Sequence, residues 1–181
     1  MYLIEQDKFS KHSGYSKQRI ELAKIAGYLH DIGNCINRVD HAHSGAILAY
    51  NILKDMGMDI ENRTEIMMAI GNHDEMTGTA VSDVSAALIL ADKSDVHRDR
   101  VVNTNLSTFD IHDRVNYAVT EANLDIDKEK RLVTLKLTID TKICPVLDYF
   151  EIFMARTMMS KYAAKFLNIW FELIINDTKL L

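Results

Sequence analysis

Apolar residues recur at helical spacing over residues 16–34, where Ile20, Leu22, Ile25, Ala26, Leu29 and Ile32 share one side. Ser16 is placed to cap the start of this helix and Gly33 stands near its end. A second helix is predicted to begin within residues 41–44, carrying Ile47, Leu48, Ile52, Leu53 and Met56 on one side until Gly57 stops it. A third spans about residues 60–72 with Ile66, Met67, Ala69 and Ile70 inward, and its end delivers GNHDE into a loop. After the connection EMTGTAV, Ser82 or Asp83 caps a fourth helix running through VSAALILADKSDVHR. That segment is apolar nearly all round before it meets Asp92. A helix without a polar face must be covered on every side, so it should cross the middle of a bundle.

The pattern changes after about residue 120. RLVTLKLTIDT, residues 131–141, alternates apolar and polar positions and is rich in Val, Leu, Thr and Ile, which predicts a half-buried strand. Pro145 then opens a helical run to Leu167, and WFELIIN, residues 170–176, predicts a last short strand. Tyr149, Phe150, Phe153 and Phe166, at helical spacing, are expected to pack as core against the two strands. The chain is thus expected to be mainly α: a helical bundle over residues 1–123, with a small C-terminal β-α-β extension over residues 124–181. The junction is placed in NLDIDKEK, residues 123–130. An unpaired edge of such a small sheet offers one route to a homodimer.

Composition sharpens this picture. The 181 residues, 48% hydrophobic, can bury a real core in one ordinary domain or one with a small appendage. Seven Gly and one Pro are too few for a turn-dense β-sandwich or a proline-rich chain. The 21 basic and 26 acidic residues leave a net charge of −5, so no general attraction to nucleic acid or anionic lipid is expected, and phosphate must be met locally. Two unpaired-looking cysteines, Cys35 and Cys144, and an N-terminus without the apolar core of a signal peptide point to a reducing cytoplasm. Apolar runs such as residues 86–91 are far too short to span a membrane.

Candidate chemistry gathers at the predicted helix ends: His30-Asp31, His41, His73-Asp74 and Asp92. Imidazole together with carboxylate suits divalent transition metals such as Fe, Mn, Zn, Co or Ni, whereas Mg and Ca prefer oxygen alone. On a continuous helix His30 and Asp31 diverge by roughly 100°, so they can approach one ion from two sides, or the carboxylate can bridge two ions. Leu29 and Ile32 pin this turn against the core, and its polar side chains must find partners. A buried His-Asp hydrogen-bonded pair is the alternative for any isolated dipeptide of this kind.

The ordered series YLHDIGN, DHAHSGA, AIGNHDE and LILADKSDVHRDR, over residues 16–100, resembles the HD superfamily of metal-dependent phosphohydrolases. That resemblance implies an HD-domain helical bundle holding one or two divalent transition metals, with His30, Asp31, His41, His73 and Asp92 as ligands and Asp31 as the bridge that also orients a water. It prefers His41 to His43 as a ligand because His41 lies four residues before Gly45, and leaves His43 a cap or supporting role. Asp74 and Glu75 are expected to accept the N–H of a ligating imidazole. Lys93 and Arg98, with Arg100 near them, would contact substrate phosphate, unless they simply pair with Asp95 and Asp99. ADKSDVHRD is further similar to the matching stretch of bacterial HD hydrolases that split dinucleoside tetraphosphates, through Asp95 and Arg98.

The family usually carries another ligating His on a helix upstream of the HD pair. Only 13 residues precede Gly14, so that helix is expected to be truncated, with His12 as its one possible substitute. The function implied is hydrolysis of a phosphoester or phosphoanhydride, most simply of a nucleotide, with a small phosphorylated substrate as partner. Two alternatives stand beside it: a degenerate HD domain that only binds a nucleotide or partner, and a di-iron oxygenase on the same scaffold. His97 sits in a charged run and is a weaker candidate, and the His112-Asp113 pair, which has none of the surrounding series, is expected to be a structural helix start.

Overall fold

Ser16, Asp59, Ser82 and Asp110 each accept a hydrogen bond from a backbone N–H three residues further on, and each opens a helix. The computed structural model describes residues 15–181. Its helices are α1 (Lys17–Leu29), α2 (His41–Asp55), α3 (Ile60–Gly71), α4 (Asp83–Ser94), α5 (Ile111–Ala118) and α6 (Val146–Phe166). Its strands are β1 (Val119–Asp127), β2 (Leu132–Ile139), β3 (Trp170–Ile175) and β4 (Thr178–Lys179), which form one sheet in the order β1-β2-β3-β4. The fold is mostly helical with a small C-terminal sheet, and no described helix is long and apolar enough to cross a membrane.

Every residue of α4 from Val84 to Ser94 is buried, as its all-round apolar pattern requires. It packs against α1, α3, α6 and β1, so the helix that ends in Asp92 is held from all sides. Because Ser82 satisfies the Ser85 N–H at 3.1 Å, Ser82→Ala is expected to lower stability by about 1 kcal/mol. The check is a lower urea midpoint with an unchanged m-value.

Three sequence expectations are corrected. The first helix ends at Leu29 rather than near residue 34: Asp31 leaves the helical path at φ −95°, ψ 7°, and Ile32–Cys35 forms a separate 3-10 turn. On α2 the buried side is Ala42, Gly45, Ala46, Ala49 and Leu53, while Ile47 and Met56 are 61% and 76% exposed. Close backbone approach explains this choice of small residues, since a Cβ on Gly45 would stand 3.1 Å from the Gly33 nitrogen. Finally, the 123/124 junction falls inside β1, which pairs antiparallel with β2, and one hydrophobic core runs from Leu22 to Ile175. Leu124 and Ile126 alternate with Asn123, Asp125 and Asp127, a period-two signal masked by the high charge of the stretch.

The β-α-β expectation holds for β2, α6 and β3, whose strands pair in parallel. Tyr149 and Phe153 are core, but Phe166 is half-exposed at the end of α6.

Candidate metal centre

Glycine at two positions brings the first polar groups together. A Cβ on Gly33 would lie 2.0 Å from the His41 carbonyl oxygen, and one on Gly45 would lie 3.3 Å from the His30 carbonyl oxygen. Only this contact allows the turn after α1 to sit against the first turn of α2. His30 and Asp31 therefore meet His41, although ten residues separate Asp31 from it. His73 arrives from the end of α3 and Asp92 from the last turn of α4.

The three histidines are held in the same way. His30, His41 and His73 direct Nδ1 to the carbonyl oxygens of Gly27, Arg38 and Ile70, at 2.9, 3.0 and 2.6 Å. A carbonyl can only accept, so each Nδ1 carries a proton, and the neutral form of each ring presents its lone pair on Nε2. These lone pairs converge. His41 Nε2 lies 3.2 Å from His73 Nε2 and 3.3 Å from Asp31 Oδ1. His30 Nε2 lies 3.4 Å from Asp31 Oδ2 and 3.9 Å from Asp92 Oδ1. Donor atoms fall into two groups, His30, His73 and Asp92 in one and Asp31, His41 and His73 in the other, each within 4.8 Å.

Two Nε2 lone pairs facing each other at hydrogen-bond distance repel unless a positive charge lies between them. Burial pushes the His73 imidazole below its usual range, which disfavours a proton on that ring. Imidazole and carboxylate in this number fit a divalent transition metal instead. The donor set therefore suits such a cation at this position.

Behind the ligand atoms lies a charge network. Burial opposes ionisation of Asp92, but the Lys93 ammonium and the Arg156 guanidinium outweigh it and hold the carboxyl well below the usual carboxylate range. Lys93 Nζ is 2.6 Å from Asp92 Oδ2 and also pairs with Glu75, whose carboxyl is likewise lowered by that ammonium against the effect of burial. Arg156 donates from Nη2 to the Asp92 carbonyl at 2.7 Å.

A comparison with protein families matches residues 7–151 to the HD domain, well over half of the chain. The chain belongs to the HD-domain family. HD domains bind divalent metals and are generally metal-dependent phosphohydrolases. Searches of curated proteins and of solved structures return no match.

Within the HD domain, the structure draws together His30, Asp31, His41, His73 and Asp92, and it places other predicted residues differently. Lys93 was expected on substrate phosphate, yet its side chain is 4% exposed and its ammonium already shared by Asp92 and Glu75. Arg98 stacks over the Tyr117 ring at 5.2 Å, with no ion pair among the described residues. Arg100 pairs with Asp95. Backbone carbonyls take the hydrogen bonds of the ligating rings expected for Asp74 and Glu75; Asp74 Oδ2 stands 3.8 Å from His41 Nδ1 while its Oδ1 caps the Met76 N–H. His43 is half-exposed and pairs with Asp40, away from the cluster. His97 donates to the Thr120 carbonyl, consistent with a structural role. His12 lies outside the described residues.

Two residues escaped the sequence reading. Arg156 stands alone in the apolar run IFMARTMM, and a cation in such a run needs a buried partner, which was the available signal. Arg38 lies at the rim, its Nη1 3.8 Å from Asp31 Oδ1 and its side chain 74% exposed. Nothing in its loop sequence distinguishes it from any surface arginine.

Proposed function

We propose that this HD protein hydrolyses a small phosphoester or phosphoanhydride, a nucleotide being the favoured class. The observation that carries this reading is the convergence of three Nδ1-protonated imidazoles, through Nε2, on Asp31 and Asp92. His30, Asp31, His41, His73 and Asp92 would hold one or two ions of Fe, Mn, Zn, Co or Ni. A divalent cation bound there supplies a water acidified toward neutrality and neutralises phosphoryl oxygen charge.

The chain's own residues define where substrate approaches. Side-chain exposure is 2% at His73, 6% at His41 and 11% at His30 and Asp92, but 43% at Asp31. Asp31 therefore forms the open side of the cluster, and its carboxylate can accept a proton from a water lying there. Arg38, beside it, is the cation best placed to pair with a substrate phosphate. Arg98, which has no carboxylate partner among the described residues, is proposed as a second phosphate contact. Lys93 and Arg156 act from behind, keeping Asp92 ionised.

Purified protein should release phosphate from at least one member of a panel of nucleoside mono-, di- and triphosphates, dinucleoside tetraphosphate and an aryl phosphate. Mn, Co, Ni, Fe and Zn are supplied in turn, and chelation should abolish the activity. Absence of phosphate release under all five metals overturns the reading. So does oxygen uptake with Fe in the absence of phosphate release, which would favour an oxygenase.

A further inference from the structure

At the opposite end of the sequence a second concentration of chemistry stands apart from the metal centre. The C-terminal end of α6, the hairpin between β1 and β2 and the start of β3 enclose a groove of about 410 Å³. Four cations line it, Lys130, Arg131, Lys161 and Lys165, together with the rings of Tyr162 and Trp170. Trp170 is 76% exposed and Tyr162 56%, an unusual position for two large rings with nothing described covering them. In a chain of net charge −5 these cations form a local reversal of sign.

The groove is built rather than incidental. Arg131 and Asn168, at φ 50° and 58°, both adopt the left-handed backbone that side chains other than glycine rarely take. They are tied to each other: Arg131 Nη2 donates to the Asn168 carbonyl at 2.5 Å, and the Trp170 N–H donates to the Arg131 carbonyl at 2.7 Å. This lock fixes the hairpin against the end of α6 and sets Trp170 at the groove wall. Lys130 is shared with Asp127 at 3.1 Å, but Lys161 and Lys165 have no carboxylate partner among the described residues. At about 100° per residue, Lys161, Tyr162 and Lys165 are turned roughly 120–180° around α6 from Arg156, which faces Asp92. One helix thus presents its inner side to the metal centre and its outer side to the groove.

We propose that this groove binds a free nucleotide, with the base stacked on Trp170 or Tyr162 and the phosphates held by Lys161, Lys165 and Lys130. Rings without cations would suit an apolar ligand, and cations without rings would suit inorganic phosphate; the combination suits an aromatic base carrying phosphate. A single nucleotide fits better than a polynucleotide. Asp127 and Glu129 stand in the hairpin beside the groove cations, and the chain's net charge of −5 disfavours a long polyanion. The proposal does not depend on which substrate the metal centre hydrolyses.

Trp170 is the chain's single tryptophan, so its fluorescence reports on the groove alone. The full chain is titrated at low salt with AMP, with the methylene analogue of ADP, with inorganic phosphate and with a decathymidylate. Saturable quenching by the two nucleotides is expected, weaker at high salt. The double variant Lys161→Glu with Lys165→Glu, exposed positions whose folding circular dichroism will check, should weaken binding about tenfold or more. Quenching should persist in Asp31→Asn. No saturable quenching by either nucleotide overturns the proposal. So do equal affinity in the double variant, loss of quenching in Asp31→Asn, phosphate binding as tight as nucleotide binding, or decathymidylate binding tenfold tighter than AMP, the last marking a nucleic-acid site instead.

Discussion

Asp31→Asn is expected to reduce metal-dependent phosphate release by more than about a hundredfold, since loss of residues that merely support a ligand already costs 10–100-fold. The change keeps the volume and removes the charge. Asp31 faces all three imidazoles, with Oδ1 3.3 Å from His41 Nε2 and 3.9 Å from His73 Nε2, and Oδ2 3.4 Å from His30 Nε2. An asparagine offers one carbonyl oxygen and an NH₂ that can donate to these lone pairs. Such a site is satisfied without a cation, so the variant should fold as well as the parent while failing to retain metal after dialysis. Elemental analysis and thermal unfolding in chelator measure the two halves separately. Parental activity, or parental metal content, in Asp31→Asn would contradict the assignment of this carboxylate to the metal site.

Lys93→Met should produce the largest loss of stability among the charged positions, about 3–5 kcal/mol, because it strands buried carboxylates without their cation. In a chain of this length that corresponds to a fall in Tm of about 6–20 °C. Lys93 is 4% exposed and bridges Asp92 and Glu75, and Arg156, at 3.7 Å from Asp92 Oδ1, replaces only part of that charge. The pH dependence carries a definite sign. Asp92 and Glu75 both titrate below their ordinary range, so the stability they contribute is present at neutral pH and is lost as pH falls through those lowered values. Without the ammonium the same carboxyls protonate at higher pH. The gap in Tm between parent and Lys93→Met should therefore be wide at pH 7 and begin to close as pH falls below about 4, closing further through the lowered values. Saturating metal should narrow it as well, since a bound cation faces the same carboxylate. A gap independent of both pH and metal would mean that Lys93 stabilises through packing of its stem alone.

Legibility differed from element to element for physical reasons. α4 was plain because a helix apolar on every side has few places to go. α2 was placed correctly but with the wrong inward side, since sequence hydrophobicity favours Ile47 and Met56 over Ala46 and Ala49. Packing chose small residues where elements approach closely: Gly45 meets Gly33, and Ala46 meets Gly71. β1 was read as a junction because Asp125 and Asp127 outweighed the alternation of Leu124 and Ile126.

Among site residues, the histidines and aspartates were visible because few side chains combine nitrogen and oxygen donors at helix ends in an ordered series. Lys93 was misassigned for a different reason. From sequence a lysine beside an aspartate reads as a surface cation, and only the arrival of Glu75 and α6 shows that its charge is already shared inside the protein. Arg156, 64 residues beyond Asp92, has no local signal at all linking it to that residue.

By itself, then, the order of apolar and polar positions determined the helical bundle and the β-α-β end, and the ordered His and Asp series carried the resemblance that named the candidate ligands, because periodicity and short motifs are properties of short segments. Which lone pairs face one another, which cations are spent on internal carboxylates and which remain at the rim were decided only by the tertiary structure. Those outcomes depend on distances of a few ångströms between segments far apart in the chain, set by the close approach of two glycines and by the burial of α4.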